Sequence, residues 1–211
     1  MADAFDTNEK KPKEAAVCFG LPDFTEALSS TPDKERLKKG DIVIEVKESG
    51  TEKIVSGRIL LDDSAEKIWP ILANPYEFAN GLYPRMRKIE ILKNEKEHSR
   101  MSCTIDLGMV LPKIVATVDT DYVPARRIDF HKVGGSLKSL SGGWTLTPQA
   151  DGKTEVAYWM NIDPGIPVPA WVVREGIKME LPNTLKAVRK RLNELHNNAK
   201  PAPGHILASE I

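Results

Sequence analysis

The stretch that decides the fold is residues 134–171, GGSLKSLSGGWTLTPQADGKTEVAYWMNIDPGIPVPAW. It contains two segments of strand character joined by a Gly-Lys-Thr turn at residues 152–154, then a proline-rich corner. Trp171 opens a long amphipathic segment. Strands followed by one C-terminal helix predict an α+β domain, a curved antiparallel sheet folded around that helix. The space between sheet and helix would suit an apolar ligand.

The segments upstream of this stretch also have strand character. Apolar side chains recur at every second position in residues 101–109 and 114–123. Each segment therefore has one apolar face, as in an antiparallel sheet with a single buried side. Ser49 and Gly50 separate two further strand patterns within residues 41–61, which predicts a hairpin.

Helix signals occur at three places. Pro32 and Gly40 mark the start and stop of a short helix, and residues 63–66 form a capping-box pattern before a helix that contains Pro70. The last apolar stripe, over residues 170–195, predicts a long helix. Pro182 should bend that helix near residues 178–182 and so widen its gap to the sheet.

Composition excludes several classes of protein. The chain has 211 residues, with 30 basic and 30 acidic side chains, so no bulk field favours nucleic acid. It has two cysteines, Cys18 and Cys103, which argues against a disulfide framework. No apolar run approaches the ~18 residues of a membrane span, and no signal-peptide pattern is present. A cytoplasmic protein is expected, with transient membrane contact left open.

Residues that usually carry catalysis have unremarkable surroundings in the sequence. The four histidines do not pair with other ligands at metal-binding spacing, so no metal site and no cofactor is predicted. The glycine pairs at 134–135 and 142–143 lack nucleotide-binding spacing and are interpreted as bulges where the sheet curves. By alternation, Arg58 and Asp106 should face solvent. Glu180 adjoins the apolar stripe of the last helix and is expected on its solvated flank, with a cavity-edge position as the alternative.

Four motifs in order resemble a known family. They are Ser64-Ala65-Glu66-Lys67-Ile68-Trp69-Pro70-Ile71-Leu72 with Asn74-Pro75-Tyr76; Leu82-Tyr83-Pro84 with Met86; Gly142-Gly143-Trp144-Thr145-Leu146-Thr147-Pro148; and Pro164-Gly165-Ile166-Pro167-Val168-Pro169. Over roughly residues 41–196 the chain resembles the START-like superfamily, in its polyketide cyclase/dehydrase and coenzyme Q-binding branch. The resemblance implies a helix-grip fold with a ligand cavity between the inner sheet face and the last helix.

This resemblance organises the chain into four parts. Residues 1–30 are expected to be a disordered arm, 31–40 a short helix, 41–196 the ligand-binding domain and 197–211 a flexible tail. Access to the cavity would be gated by residues 107–113 and the start of the last helix. The predicted ligand-binding residues, which are inward by period, are Met101, Ile105, Met109, Val118, Tyr158, Met160, Ile177 and Leu181.

Three functions remain open at this point. The favoured function is non-catalytic binding or transport of a hydrophobic small molecule such as a lipid, isoprenoid or polyketide-like compound. The alternative is a polyketide cyclase or dehydratase in the same cavity, which needs a well-placed proton-transfer group that the sequence does not reveal. The third is an interaction module with a closed cavity. Filling a cavity of at least ~300 Å³, for example by Ala116→Trp, should abolish uptake of an apolar dye if the first is right.

Overall fold

A computed structural model describes residues 31–49, 52–106, 113–165, 167 and 169–199. The predicted arm (1–30), most of the predicted gate (107–112) with Met109, and residues 200–211 of the predicted tail lie outside the described residues.

The described chain folds into one eight-stranded antiparallel sheet with helices. The strands are β1 Val43–Ser49, β2 Glu52–Leu61, β3 Met86–Asn94, β4 His98–Ile105, β5 Ile114–Val123, β6 Arg127–Gly135, β7 Ser139–Pro148 and β8 Thr154–Asp163. The helices are α1 Thr31–Lys38, α2 Ala65–Leu72, α3 Pro75–Glu77, continued by a π-helical turn at Phe78–Leu82, and α4 Ala170–Ala199. The strand order is β1-β2-β8-β7-β6-β5-β4-β3, so β2 pairs with the last strand while all other neighbours are consecutive. This is the predicted helix-grip fold.

The main core lies between the sheet and α4, which packs against β2, β8 and the π-helical turn. Trp144 of β7 and Tyr158 of β8 are buried in one cluster with Ile177 and Leu181 of α4. The period-two pattern of the strands and the helical stripe predicted this arrangement, and it is confirmed. We call the sheet face that carries these side chains the inner face.

The two glycine pairs have different roles. Gly134 and Gly135 lie at a bulge in β6. The register of β6 with β5 shifts there, between Thr117 and Val118, and Gly135 has a φ of +96°. Gly142 and Gly143 are not bulges, because β7 keeps regular register with both neighbours there. A Cβ on Gly142 would lie 2.2 Å from the Phe130 ring, so this glycine makes room for a neighbouring aromatic side chain.

The helices begin and end close to the predicted residues. Gly40, with a φ of +89°, follows the end of α1. Ser64 is the N-cap of α2, although its hydroxyl accepts no helix N–H and its backbone carbonyl does so instead. Helix α4 continues through Pro182 and reaches Ala199, beyond the predicted boundary at 196. The bend at Pro182 stays a prediction.

Arg58 is the clearest departure from the sequence-based expectation. It was expected at the surface, yet its side chain is only 2% exposed. Its Nε lies 3.0 Å from Glu45 of β1, and its Nη1 lies 2.6 Å from Glu155 of β8. Alternation was right that Arg58 points away from the core stripe, but the two flanking strands supply carboxylates that bury it.

Candidate functional site

The inner face is covered unequally by α4. The helix lies over β2 and β8, where the apolar side chains are fully buried. Farther along the sheet, Met101 and Ile105 of β4 and Met160 of β8 are only half-buried, although they point to the same side. Apolar side chains that face inward yet keep accessible surface are available for contact with a ligand. This surface, with the adjoining part of α4, is the candidate site.

Seven of the eight predicted ligand-binding residues lie within the described chain, and the fold brings them together on this side of the sheet. Val118 pairs with Met101 across β4 and β5, and Ile105 belongs to the same cluster. Tyr158, Ile177 and Leu181 belong to the main core cluster, and Met160 packs against both clusters. Met109, the eighth, lies outside the described residues. Their role in binding a ligand stays a prediction.

An aromatic stack forms the floor at the centre of the inner face. The rings of Trp144 and Tyr158 are 3.9 Å apart and within 7° of parallel. Phe78 of the π-helical turn meets the Trp144 ring edge-on at 6.1 Å. Burial, and secondarily the nearby Tyr83, raise the pKa of the Tyr158 hydroxyl well above its ordinary value. Tyr158 therefore stays protonated and offers a neutral O–H at any physiological pH.

A polar group stands beside this stack where β3 approaches α4. Arg85, just before β3, donates from Nε to Oε1 of Glu180 on α4 at 2.8 Å. Burial first, and the negative charge of Glu180 second, raise the pKa of Tyr83 to about 12. Glu180 is partly exposed and its carboxylate is tied to a cation, and its cavity-edge position stays a prediction. The group can orient a polar end of a ligand that enters between β3 and α4.

Sequence reasoning missed several of these polar groups. Tyr83 and Arg85 fall within or beside a recognised motif, but nothing in the spacing connects them to Glu180, 95 residues away. On β4 and β5, Ser99 Oγ lies 2.9 Å from the Tyr122 hydroxyl. Thr120 Oγ1 is buried with no hydrogen-bond partner in the described chain. These hydroxyls add hydrogen-bonding positions to an otherwise apolar surface.

Within residues 31–199, as far as they are described, no cluster of His, Cys, Asp and Glu side chains is arranged to hold a metal ion. None of the described helices combines the length and the apolar character that crossing a bilayer requires. Cys103 is buried on the inner face, and burial raises the pKa of its thiol.

The fold and this surface define a helix-grip protein with an apolar inner face. A family profile described as "Polyketide cyclase / dehydrase and lipid transport" matches residues 53–195. The chain belongs to that family.

Solved structures support the fold independently. A STAR-related lipid transfer protein from Xanthomonas axonopodis superimposes with a TM-score of 0.61 and 21% identity, over 72% of this chain and 93% of that one. The Zhui aromatase/cyclase from Streptomyces sp. R1128 superimposes with a TM-score of 0.56 and 18% identity, over 72% of this chain and 98% of that one. Human STARD10 superimposes with a TM-score of 0.61 and 12% identity, over 77% of this chain and 79% of that one. At such identities the likeness shows the fold alone.

A curated relative in Pseudomonas aeruginosa is described as an uncharacterized protein. It is 31% identical over 71 residues, which are 34% of this chain and 33% of the relative. The match thus spans about a third of that relative's length, and it adds no activity to the comparison.

Proposed function

We propose that the protein binds a hydrophobic small molecule, of lipid, isoprenoid or polyketide-like character, non-covalently on its inner face. The observation that carries this proposal is the half-buried apolar surface of Met101, Ile105 and Met160. In a closed core such side chains would be fully packed, as Leu181 and Leu185 of α4 are against the sheet. An apolar ligand would cover that surface and gain ~25 cal/mol for each Å² removed from water, before association costs.

The polar groups at the edge suggest how the ligand is oriented. Tyr83 and Tyr158 remain protonated, so their hydroxyls donate hydrogen bonds to a carbonyl, hydroxyl or ether oxygen. The Arg85–Glu180 pair lies beside them with both side chains partly exposed. A molecule with an apolar body and one oxygen-bearing end therefore matches the site better than a pure hydrocarbon. Two of the compared structures, a lipid transfer protein and an aromatase/cyclase, are consistent with this class.

An enzyme that cyclises or dehydrates a polyketide in the same place is the second candidate. The observation that favours it is the proximity of a carboxylate, Glu180, to the phenol of Tyr83, which in turn lies near Tyr158. The Glu180 carboxylate already accepts a hydrogen bond from the Arg85 guanidinium, and this engagement suits positioning more than proton transfer. We therefore favour a non-catalytic carrier. We place it in the cytoplasm, where the buried Cys103 would stay reduced.

Uptake of an environment-sensitive apolar dye tests the proposal. Ala116 is fully buried beside Cys103, so Ala116→Trp would strain the core before it filled any ligand space. Met101→Trp is the better variant, because this side chain is half-buried on the inner face. It should weaken dye affinity at least about tenfold, the effect of losing ~1.4 kcal/mol of binding free energy.

Val115→Trp is the matched control, since Val115 lies on β5 but on the opposite face and is 44% exposed. It should leave the dye affinity unchanged. Native mass spectrometry of the purified chain should detect a bound lipid-like molecule in the parent and less of it in Met101→Trp. Equal dye affinity of the two tryptophan variants and the parent would show that the inner face is not the site, and the interaction-module function would then be favoured.

A further inference from the structure

A second concave site lies at the opposite end of α4, away from the candidate ligand surface. It is a cleft of about 420 Å³, bounded by the end of α1, the loop after β2, the β7–β8 turn and the last turns of α4. Its lining residues are Leu37, Lys38, Lys39, Gly40, Leu60, Leu61, Asp62, Asp63, Lys153, Arg189, Leu192, Asn193 and His196. The volume falls within the ~300–1,000 Å³ range of small-molecule sites.

The cleft has an apolar floor and a predominantly basic rim. Leu37, Leu61 and Leu192 are buried beneath it. Four basic side chains, from three lysines and one arginine, face two carboxylates around the opening. Such a surface suits a molecule with a small apolar or ring portion and an anionic group.

Both carboxylates of the rim already have cationic partners. Asp62 lies 2.7 Å from Nζ of Lys153. Asp63 lies 3.0 Å from Nε2 of His196, with Lys67 at 3.8 Å on its other side. Lys38, Lys39 and Arg189 have no carboxylate partner in the described chain, and the excess positive charge of the cleft resides on them.

Arg189 is held so that part of its guanidinium remains available. Its Nη2 donates to the backbone carbonyl of Gly40 at 2.8 Å and, more weakly, to that of Leu60 at 3.5 Å. Both acceptors are neutral, so the positive charge is not compensated. The Nε and Nη1 donors form no hydrogen bond within the described residues. A guanidinium fixed along one edge is pre-organised to present its other donors to a phosphate oxygen.

We propose that this cleft is a second binding site, for a phosphate monoester group carried on a small apolar or ring moiety. Arg189 and Lys39 bind the phosphate oxygens, and the leucine floor contacts the apolar portion. The site is separate from the proposed inner-face site, so it does not depend on the function proposed above. The phosphate could be on a free metabolite or on a lipid headgroup, and the experiment separates these two sources.

Titration calorimetry with phenyl phosphate, at low ionic strength, measures the free-ligand arm. The parent should bind phenyl phosphate but not phenol, and added salt should weaken binding. Lys39→Gln, an exposed change that leaves the packing intact, should weaken binding roughly tenfold, since one charge-assisted hydrogen bond is lost. Arg189→Gln should weaken it further, with thermal unfolding used to confirm that the variant is folded.

Lys190→Gln is the control for net charge. Lys190 neighbours Arg189 on α4, but its side chain is 80% exposed and pairs with Glu194 instead of lining the cleft. Binding of the apolar dye should be unchanged in all three variants. This readout separates failure of the cleft from failure of the inner-face site.

Co-sedimentation with phosphatidylcholine vesicles, with and without phosphatidic acid, provides the lipid arm. Binding that requires phosphatidic acid and is lost in Lys39→Gln, but not in Lys190→Gln, would identify a headgroup as the source. Binding of phenyl phosphate alone would identify a free phosphate compound. The proposal is overturned if neither probe binds, or if Lys190→Gln weakens binding as much as Lys39→Gln does.

Discussion

Arg58 stabilises the sheet by joining three strands through its two carboxylate partners. Arg58→Met would leave Glu45 and Glu155 close together and half-buried without their cation. Breaking a buried ion pair in this way costs about 3–5 kcal/mol, so we expect a loss of that order in the free energy of unfolding by urea.

Arg36→Met is the matched control for this experiment. Arg36 pairs with Asp33 on the surface, and its side chain is 52% exposed. Exposed pairs contribute about 0–1 kcal/mol, so this variant should remain close to the parent. A loss below ~1 kcal/mol in Arg58→Met as well would show that the buried pairs contribute little.

The burial of Arg58 illustrates a limit of sequence reasoning. Alternation assigned the side chain to the correct face, because the period of a strand is two. It could not show that Glu45 and Glu155 flank Arg58, since Glu155 is 97 positions away in sequence and reaches β2 only through the pairing with β8. Arg85 and Glu180 were missed as a pair for the same reason. Long-range partners follow from topology, which local patterns do not encode.

Tyr83 predicts a pH dependence at alkaline pH. Its pKa is raised to about 12 in the folded protein, from about 10 in the unfolded chain. Between these values the unfolded chain loses the phenolic proton while the folded chain keeps it, so the free energy of unfolding falls as pH rises. Below pH ~10 this contribution is constant. Tyr83→Phe should show a shallower decline than the parent between about pH 10 and 12 in urea titrations, and identical slopes would contradict the assigned burial.

At the scale of elements, the strands and helices were largely predictable. Every strand in the described chain shows either alternation or turn residues at its ends, and the stripe of α4 was visible from its spacing. The role of Gly142 was not predictable. A glycine pair in a strand is equally typical of a bulge and of a place where a neighbouring group packs closely against the backbone. Only the position of the Phe130 ring decides between these two roles for Gly142.

Pro182 gives a prediction for α4 and for ligand uptake together. Pro182→Ala restores a helical N–H and should raise the free energy of unfolding, by up to ~3 kcal/mol. If the proline also bends the helix away from the sheet, the straightened helix should narrow the site and weaken dye binding.

Pro70→Ala in α2 is a control with the same substitution in a helix that carries none of the predicted ligand-binding residues. It should raise stability without changing dye affinity. Unaltered dye affinity in Pro182→Ala would mean that the bend does not shape the site.

For the whole molecule, the proposed ligand should contribute to stability. A ligand that binds only the folded state at one hundred times its Kd adds ~2.7 kcal/mol to the free energy of unfolding. For a chain of this size, that corresponds to roughly 5–10 °C in Tm. Stripping bound lipid on a hydrophobic resin should lower Tm by about this amount, and adding back the extracted material should restore it. A Tm that is independent of both steps would contradict the carrier function.

The pairing of β2 with β8 has a consequence for how the chain is made. Strands β3 to β8 form a continuous meander. Strand β2 can pair with β8 only after β8 has been synthesised, and β8 begins 93 positions after β2 ends (154 − 61). At about 5–20 residues per second, a ribosome takes roughly 5–20 s to produce that segment. During this interval the β1–β2 hairpin has an unpaired edge, and charged residues such as Glu45 and Arg58 protect the hairpin from pairing with other chains. We expect the pairing of β2 with β8 to be the slow step of folding, because it closes the longest chain segment between two neighbouring strands.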